Sequence, residues 1–144
     1  MKLLIFTFRH TIAERITSKL ELPSNKMYLD SSIEAIEHFV SSTDFSQYTH
    51  ILGLGTYSGR DQDKIRIETV CTSQFRNRKE DLQTVRIPYF MQPNDHMKLA
   101  KGMSNSWCNL VSYRLLKERG IDQYTFLHIP RYFDVDVAVK VISD

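Results

Sequence analysis

The sequence predicts an α/β domain built on a parallel or mixed sheet, and three observations carry that expectation. Short, nearly continuous apolar runs stand at 2–8 (KLLIFTF), 50–55 (HILGLG) and 124–129 (YTFLHI), as strands buried on both faces do. Segments with helical spacing lie between the first two runs. Strand and helix therefore alternate through residue 55, the signature of strands joined by covering helices.

Each element follows from its residues. In 11–20 (TIAERITSKL), Ile12, Ile16 and Leu20 share a helical face, and Pro23 closes the segment. Residues 27–30 (MYLD) read as a second strand. Ser31 or Ser32 caps a helix over 33–41, where Ile33, Ile36, Phe39 and Val40 align. After the 50–55 strand comes a polar loop, 56–63. Residues 64–71 (KIRIETVC) alternate, which predicts a half-buried strand with Ile65 and Ile67 inward and Arg66 and Glu68 on a solvated face. From Ser73 to Asp95 the pattern is poor and predicts a surface excursion, with a strand only at 84–87. Ser104, Asn105 or Ser106 can cap the next helix, which Gly120 ends. The strand at 124–129 stops at Pro130. The segment 135–142 fits a helix by context, although its valines also suit a strand.

Composition sets the outer bounds. A chain of 144 residues with 42% hydrophobic and 25% charged residues suits one soluble domain spanning 1–144. A net charge of +2 is too mild to imply nucleic acid or an anionic membrane as partner. The apolar start is interrupted by Arg9, His10, Glu14 and Arg15, unlike a signal peptide, and no run reaches the ~20 residues that span a bilayer. Two cysteines, Cys71 and Cys108, are too few for a disulfide framework, so a reducing, cytoplasmic location is expected.

Several conventional sites find no support. The five histidines never pair at the i,i+4 interval of a zinc helix. Gly53, Gly55 and Gly59 make GxGxxxG, not the dinucleotide fingerprint, and no phosphate-loop lysine follows them. No metal or cofactor is expected.

Three residues suggest thiol chemistry. If the helix begins near Ser106, the sulfur of Cys108 lies in its first turn, where unpaired N–H groups and the helix dipole favour a thiolate and can hold an oxyanion. His128 stands at the C-terminal end of a strand, where loops of α/β sheets form crevices. Glu68 supplies a carboxylate to orient an imidazole. Each also has an ordinary explanation. Cys108, Val111 and Leu115 make a core stripe, His128 shares a parity with Tyr124 and Phe126, and Glu68 can pair weakly with Arg66 in water.

These residues stand in stretches that resemble the pyroglutamyl peptidase I (pyrrolidone-carboxylate peptidase) family. Cys108 to Leu116 (CNLVSYRLL) is similar to the family helix CN-x-x-x-Y-x-LL, which opens with the nucleophile. Phe126 to Pro130 (FLHIP) is similar to the F-[IV]-H-[VI]-P strand carrying the catalytic histidine. Gly53-Leu54, Gly59-Arg60 and Ile65 to Val70 (IRIETV) follow the order GL…GR…I-x-[IL]-E-x-[IV], in which the glutamate is catalytic. The resemblance implies a three-layer α/β/α sandwich with a mixed twisted sheet, in a divergent and shortened member. It implies Cys108 as nucleophile, His128 as base and Glu68 as orienting acid. The family's GF-x-PFGG loop is replaced here by Phe6-Thr7-Phe8-Arg9-His10, where Phe8 corresponds to an aromatic that encloses the substrate ring. The S-A-G before the nucleophile is replaced by residues 102–107 (GMSNSW).

The function so implied is hydrolysis of a small peptide or amide, by default removal of an N-terminal pyroglutamyl residue, without a cofactor. Two alternatives stand beside it: a non-catalytic binding or assembly protein on the same scaffold, and a hydrolase of another small amide. Homo-oligomer formation is compatible with all three.

Overall fold

The computed structural model describes residues 2–60, 62–75, 82–100 and 106–144. The first part alternates as its periodicity predicts: β1 (Leu3–Phe8), α1 (Ile12–Lys19), β2 (Ser24–Leu29), α2 (Ile33–Ser42) and β3 (His50–Tyr57). Capping sets the helix starts. Thr11 Oγ1 accepts from the Glu14 N–H at 3.2 Å, and Glu14 Oε2 in turn accepts from the His10 N–H at 2.9 Å. Ser32 Oγ accepts from the Ala35 N–H and opens α2. The second strand begins earlier than 27–30, because all of Ser24–Leu29 pairs with β1.

The second part departs further from expectation. It contains β4 (Ile65–Ile67), β5 (Val70–Thr72), β6 (Thr84–Arg86), β7 (Met97–Leu99), α3 (Trp107–Tyr113), β8 (Tyr124–Pro130) and α4 (Val135–Ser143). The single strand expected over 64–71 is two strands in different sheets. Beyond Ile67 the chain keeps one bond to β8, from the Glu68 N–H to the Phe126 carbonyl at 2.9 Å. It then turns away, with Thr69 Oγ1 donating to the Ala100 carbonyl, and pairs as a β5–β6 hairpin. β7 is a strand that the polar reading of its surroundings did not anticipate. α3 has Ser106 at its N-cap position, but without a side-chain capping bond; Ser104 and Asn105 lie outside the described residues. The helix continues as a wider π-helical turn, Arg114–Glu118, and the chain leaves it through Gly120 at φ +61°.

The six-stranded sheet has the order β2-β1-β3-β8-β4-β7. β1, β2, β3 and β8 are mutually parallel, whereas β4 runs antiparallel to β8 and parallel to β7, so the sheet is mixed. One face buries Ile5, Leu52, Ile65, Ile67 and Leu127 against Ala13 and Ile16 of α1 and Ala138 and Ile142 of α4. The other buries Phe6, Tyr124 and Phe126 against Phe39 of α2 and Val111 of α3 and Leu115 just beyond it. The result is the three-layer α/β/α arrangement.

This layering corrects the reading of Glu68. Alternation along β4 does send Arg66 and Glu68 to the face opposite Ile65 and Ile67. That face is covered by helices and not by water, and Glu68 is only 1% exposed. Parity tells which side a residue takes; it does not tell what lies there.

Candidate active site

The site is assembled at the ends of the parallel strands. His128 lies in β8, directly opposite Gly55 of β3 on one side and Arg66 of β4 on the other. Phe126, two residues earlier on the same face, sets its ring edge to face with the imidazole at a centroid separation of 5.0 Å. His128 is 6% exposed. Its Nδ1 is 2.7 Å from Glu68 Oε1, and since a carboxylate only accepts, Nδ1 carries the proton. Nε2 is thereby the ring nitrogen not engaged by Glu68.

Cys108 is the second residue of α3 and 8% exposed. Its Sγ rests on the backbone of β3: a Cβ built on Gly55 would lie 2.6 Å from it. Because Gly55 is the register partner of His128, that seat puts the thiol beside the imidazole. The ring responds to both neighbours. Burial opposes its charging, but the charge and hydrogen bonding of the Cys108 sulfur, followed by the Glu68 carboxylate, prevail and raise the His128 pKa to about 9.

All three side chains border one cavity of about 440 Å³, together with Phe8 from the end of β1, Tyr57 from the end of β3, and Arg66. Phe8 is buried and forms part of the wall. The fold thus brings Cys108, His128, Glu68 and Phe8, the four residues the sequence points to, to this cavity. Among the described residues no group of His, Cys, Asp and Glu is arranged to hold a metal ion. Such an arrangement can pass a proton between sulfur and ring, with α3 first-turn N–H groups near the sulfur that have no carbonyl within the helix.

Other residues build the site without an advance signal. Gly55 belongs to a glycine pattern that fits no known fingerprint; its role is the absence of a side chain under the sulfur. Asn109 is fully buried and anchors the start of α3 to the hairpin. Its Oδ1 accepts from the Thr72 N–H at 2.8 Å, and its Nδ2 donates to the carbonyls of Gln74 at 2.7 Å and Thr72 at 3.1 Å. The Cys-Asn dipeptide in the helix signature was the available clue. Ser112 and Tyr124 hydroxyls meet at 2.7 Å and tie α3 to β8. Cys108 is thus positioned from both sides.

No protein-family model matches the chain, and no curated protein sequence matches it. Solved structures do. Pyrrolidone carboxyl peptidase from Thermus thermophilus superposes with a TM-score of 0.77 at 15% identity, over 98% of this chain and 96% of that one. The Thermococcus litoralis pyrrolidone carboxyl peptidase gives 0.73 at 12% identity, over 99% and 90%. Pyroglutamyl peptidase I of Bacillus amyloliquefaciens gives 0.71 at 12% identity, over 99% and 93%. Across nearly its whole length, this chain has the fold of the pyrrolidone carboxyl peptidases.

Proposed function

We propose that the protein is a cysteine amide hydrolase of peptidase type, with Cys108 as nucleophile, His128 as acid and base, and Glu68 as the group orienting His128. The observation carrying this reading is the convergence of the three side chains on one cavity, with the His128–Glu68 hydrogen bond at 2.7 Å. The likeness in fold to pyrrolidone carboxyl peptidases makes an N-terminal pyroglutamyl peptide the default substrate.

The chemistry follows from the proton positions. Because Nδ1 of His128 is committed to Glu68, Nε2 is the nitrogen that takes the proton from Cys108 and so generates the thiolate. The thiolate attacks the carbonyl carbon and forms a C–S bond, and first-turn N–H groups of α3 receive the developing oxyanion. Collapse of the intermediate breaks the C–N bond as His128 protonates the departing amine. The neutral ring then takes a proton from water, which attacks the thioester, releases the acid and restores the pair. Glu68 keeps the Nδ1–H tautomer and stabilises the ring cation throughout. Two free, buried cysteines suit a reducing location such as the cytoplasm.

One observation favours another small amide as substrate. The β1–α1 turn after Phe8 is Arg9-His10-Thr11, with His10 at φ +65°, where the peptidase family has a glycine-rich loop. A panel of pyroglutamyl and aminoacyl amides separates the two. Release of the amine from the pyroglutamyl compound, lost in Cys108→Ala, supports the default; release from a different member alone reassigns the acyl group. A substrate turned over at full rate by Cys108→Ala refutes the mechanism.

A further inference from the structure

One group in the cavity has no part in the proposed chemistry. Arg66 extends from β4 opposite His128, and its guanidinium lies 4.1 Å from the centre of the Tyr57 ring. That ring has its place because residue 59 is glycine: a Cβ there would stand 2.1 Å from the Tyr57 hydroxyl oxygen. Gly59 thus admits the phenol, and the phenol supports the cation from beneath. Arg66 Nε is buried without a hydrogen-bond partner, and among the described residues no carboxylate pairs with this guanidinium. Glu68, the acid nearest in sequence, is engaged by His128 through Oε1, and its Oε2 is itself unpartnered, so it does not bond Arg66. A half-buried cation whose Nε–H is buried and unfilled, held on an aromatic face at the rim of a cavity that also holds the thiol, is a poor choice for stability and a good one for recognition.

We infer that Arg66 is a specificity determinant that binds a carboxylate on the substrate, so that the preferred substrates are amides carrying an acidic group close to the scissile bond. This rests on the proposed hydrolase reading and narrows its substrate class. The planar guanidinium fork suits a carboxylate, and the aromatic support fixes the fork before the ligand arrives. The acidic group can belong to the acyl part or to the departing amine. Both present the same chemistry to Arg66.

Alkylation of Cys108, followed by mass spectrometry of the intact protein, tests the inference without a known substrate. In each reaction the sulfur bonds the reagent's CH2 carbon and halide leaves. Iodoacetate against iodoacetamide places a carboxylate on the acyl side; bromoacetylglycine against bromoacetylglycinamide places it on the amine side. In at least one pair the anionic reagent should gain about tenfold over its ratio with a free small thiol, roughly 1.4 kcal/mol. The pair that responds identifies the side. Arg66→Gln should abolish the gain and Arg66→Lys should retain part of it. A gain absent from both pairs, or unchanged in a folded Arg66→Gln protein, overturns the inference. If Cys108 resists even the neutral reagents, the hydrolase reading fails, and the anion site is then judged by NMR. The Arg66 Nε–H resonance of the unaltered protein should shift with N-acetylglycine and not with N-acetylglycinamide. No difference between the two ligands also overturns it, whether or not the Arg66 variants fold.

Discussion

The two cysteines lie in the same apolar cluster, yet their surroundings differ in every respect that governs reactivity. Cys71, in the β5–β6 hairpin, has no exposed surface, and burial alone pushes its pKa up to about 12. Cys108, at the opening of α3, borders a cavity and sits beside an imidazole that a carboxylate holds in place. The contrast shows that burial does not decide whether a cysteine is inert. A thiol excluded from water without a cation stays a thiol and packs; the same group next to an imidazolium can be held as a nucleophile.

Substitutions sharpen that contrast in order of effect. Cys108→Ala should abolish amide hydrolysis, because among the described residues it removes the one thiol that borders the cavity, whereas Cys71→Ala should leave the rate constant for turnover within a few-fold. Glu68→Gln should reduce turnover by ~10³ to 10⁴, since the imidazole loses both its tautomer and its countercharge. Gly55→Ala should reduce it by about 10², because the added methyl group displaces the sulfur from its seat on β3 and a shift near 1 Å costs that much. The smallest effect is on stability. Cys71→Ala should cost about 1 kcal/mol in a urea titration, through loss of packing in a fully buried position.

A pH profile gives a further contrast between the sites. The folded-state pKa of His128, raised to about 9, stands above the ~6.5 of an unfolded histidine. The charged ring therefore adds its full stabilisation below pH ~6.5, and this is lost as pH rises toward 9. Turnover should fall through the same upper limb, because the departing amine needs the ring's proton. In Glu68→Gln the limb should move to lower pH, as one of the groups raising the pKa is gone. A limb unmoved by that substitution would mean that Glu68 does not act on His128 in solution.

Much of the fold was legible because continuous apolar runs and capped helical segments report burial directly. β1, β3, β8, α1 and α2 each lie where those patterns place them. The three-residue strands are harder, although β6 lies within the expected 84–87. Met97–Leu99 is too short to show alternation, and β4 and β5 read as one strand because the turn at Glu68 and Thr69 has no glycine or proline to mark it. Glu68 looked solvated for a different reason: alternation gives its side of the sheet and not the layer that covers that side. Cys108, His128 and Glu68 stood out through the motifs around them, but their meeting depends on register: His128 opposite Gly55 and Arg66 is a fact of strand pairing that no local pattern states. Arg66 was read as surface charge for that reason.

The relative reactivity of the two thiols is the most direct measurement. The folded protein would be treated with iodoacetamide at pH 7 and each cysteine's modification rate followed by peptide mapping. Cys108 should be carbamidomethylated orders of magnitude faster than Cys71, which should react only when the protein is unfolded. If both remained equally unreactive in the folded state, the sulfur beside His128 would be packing material, and the hydrolase assignment would fall.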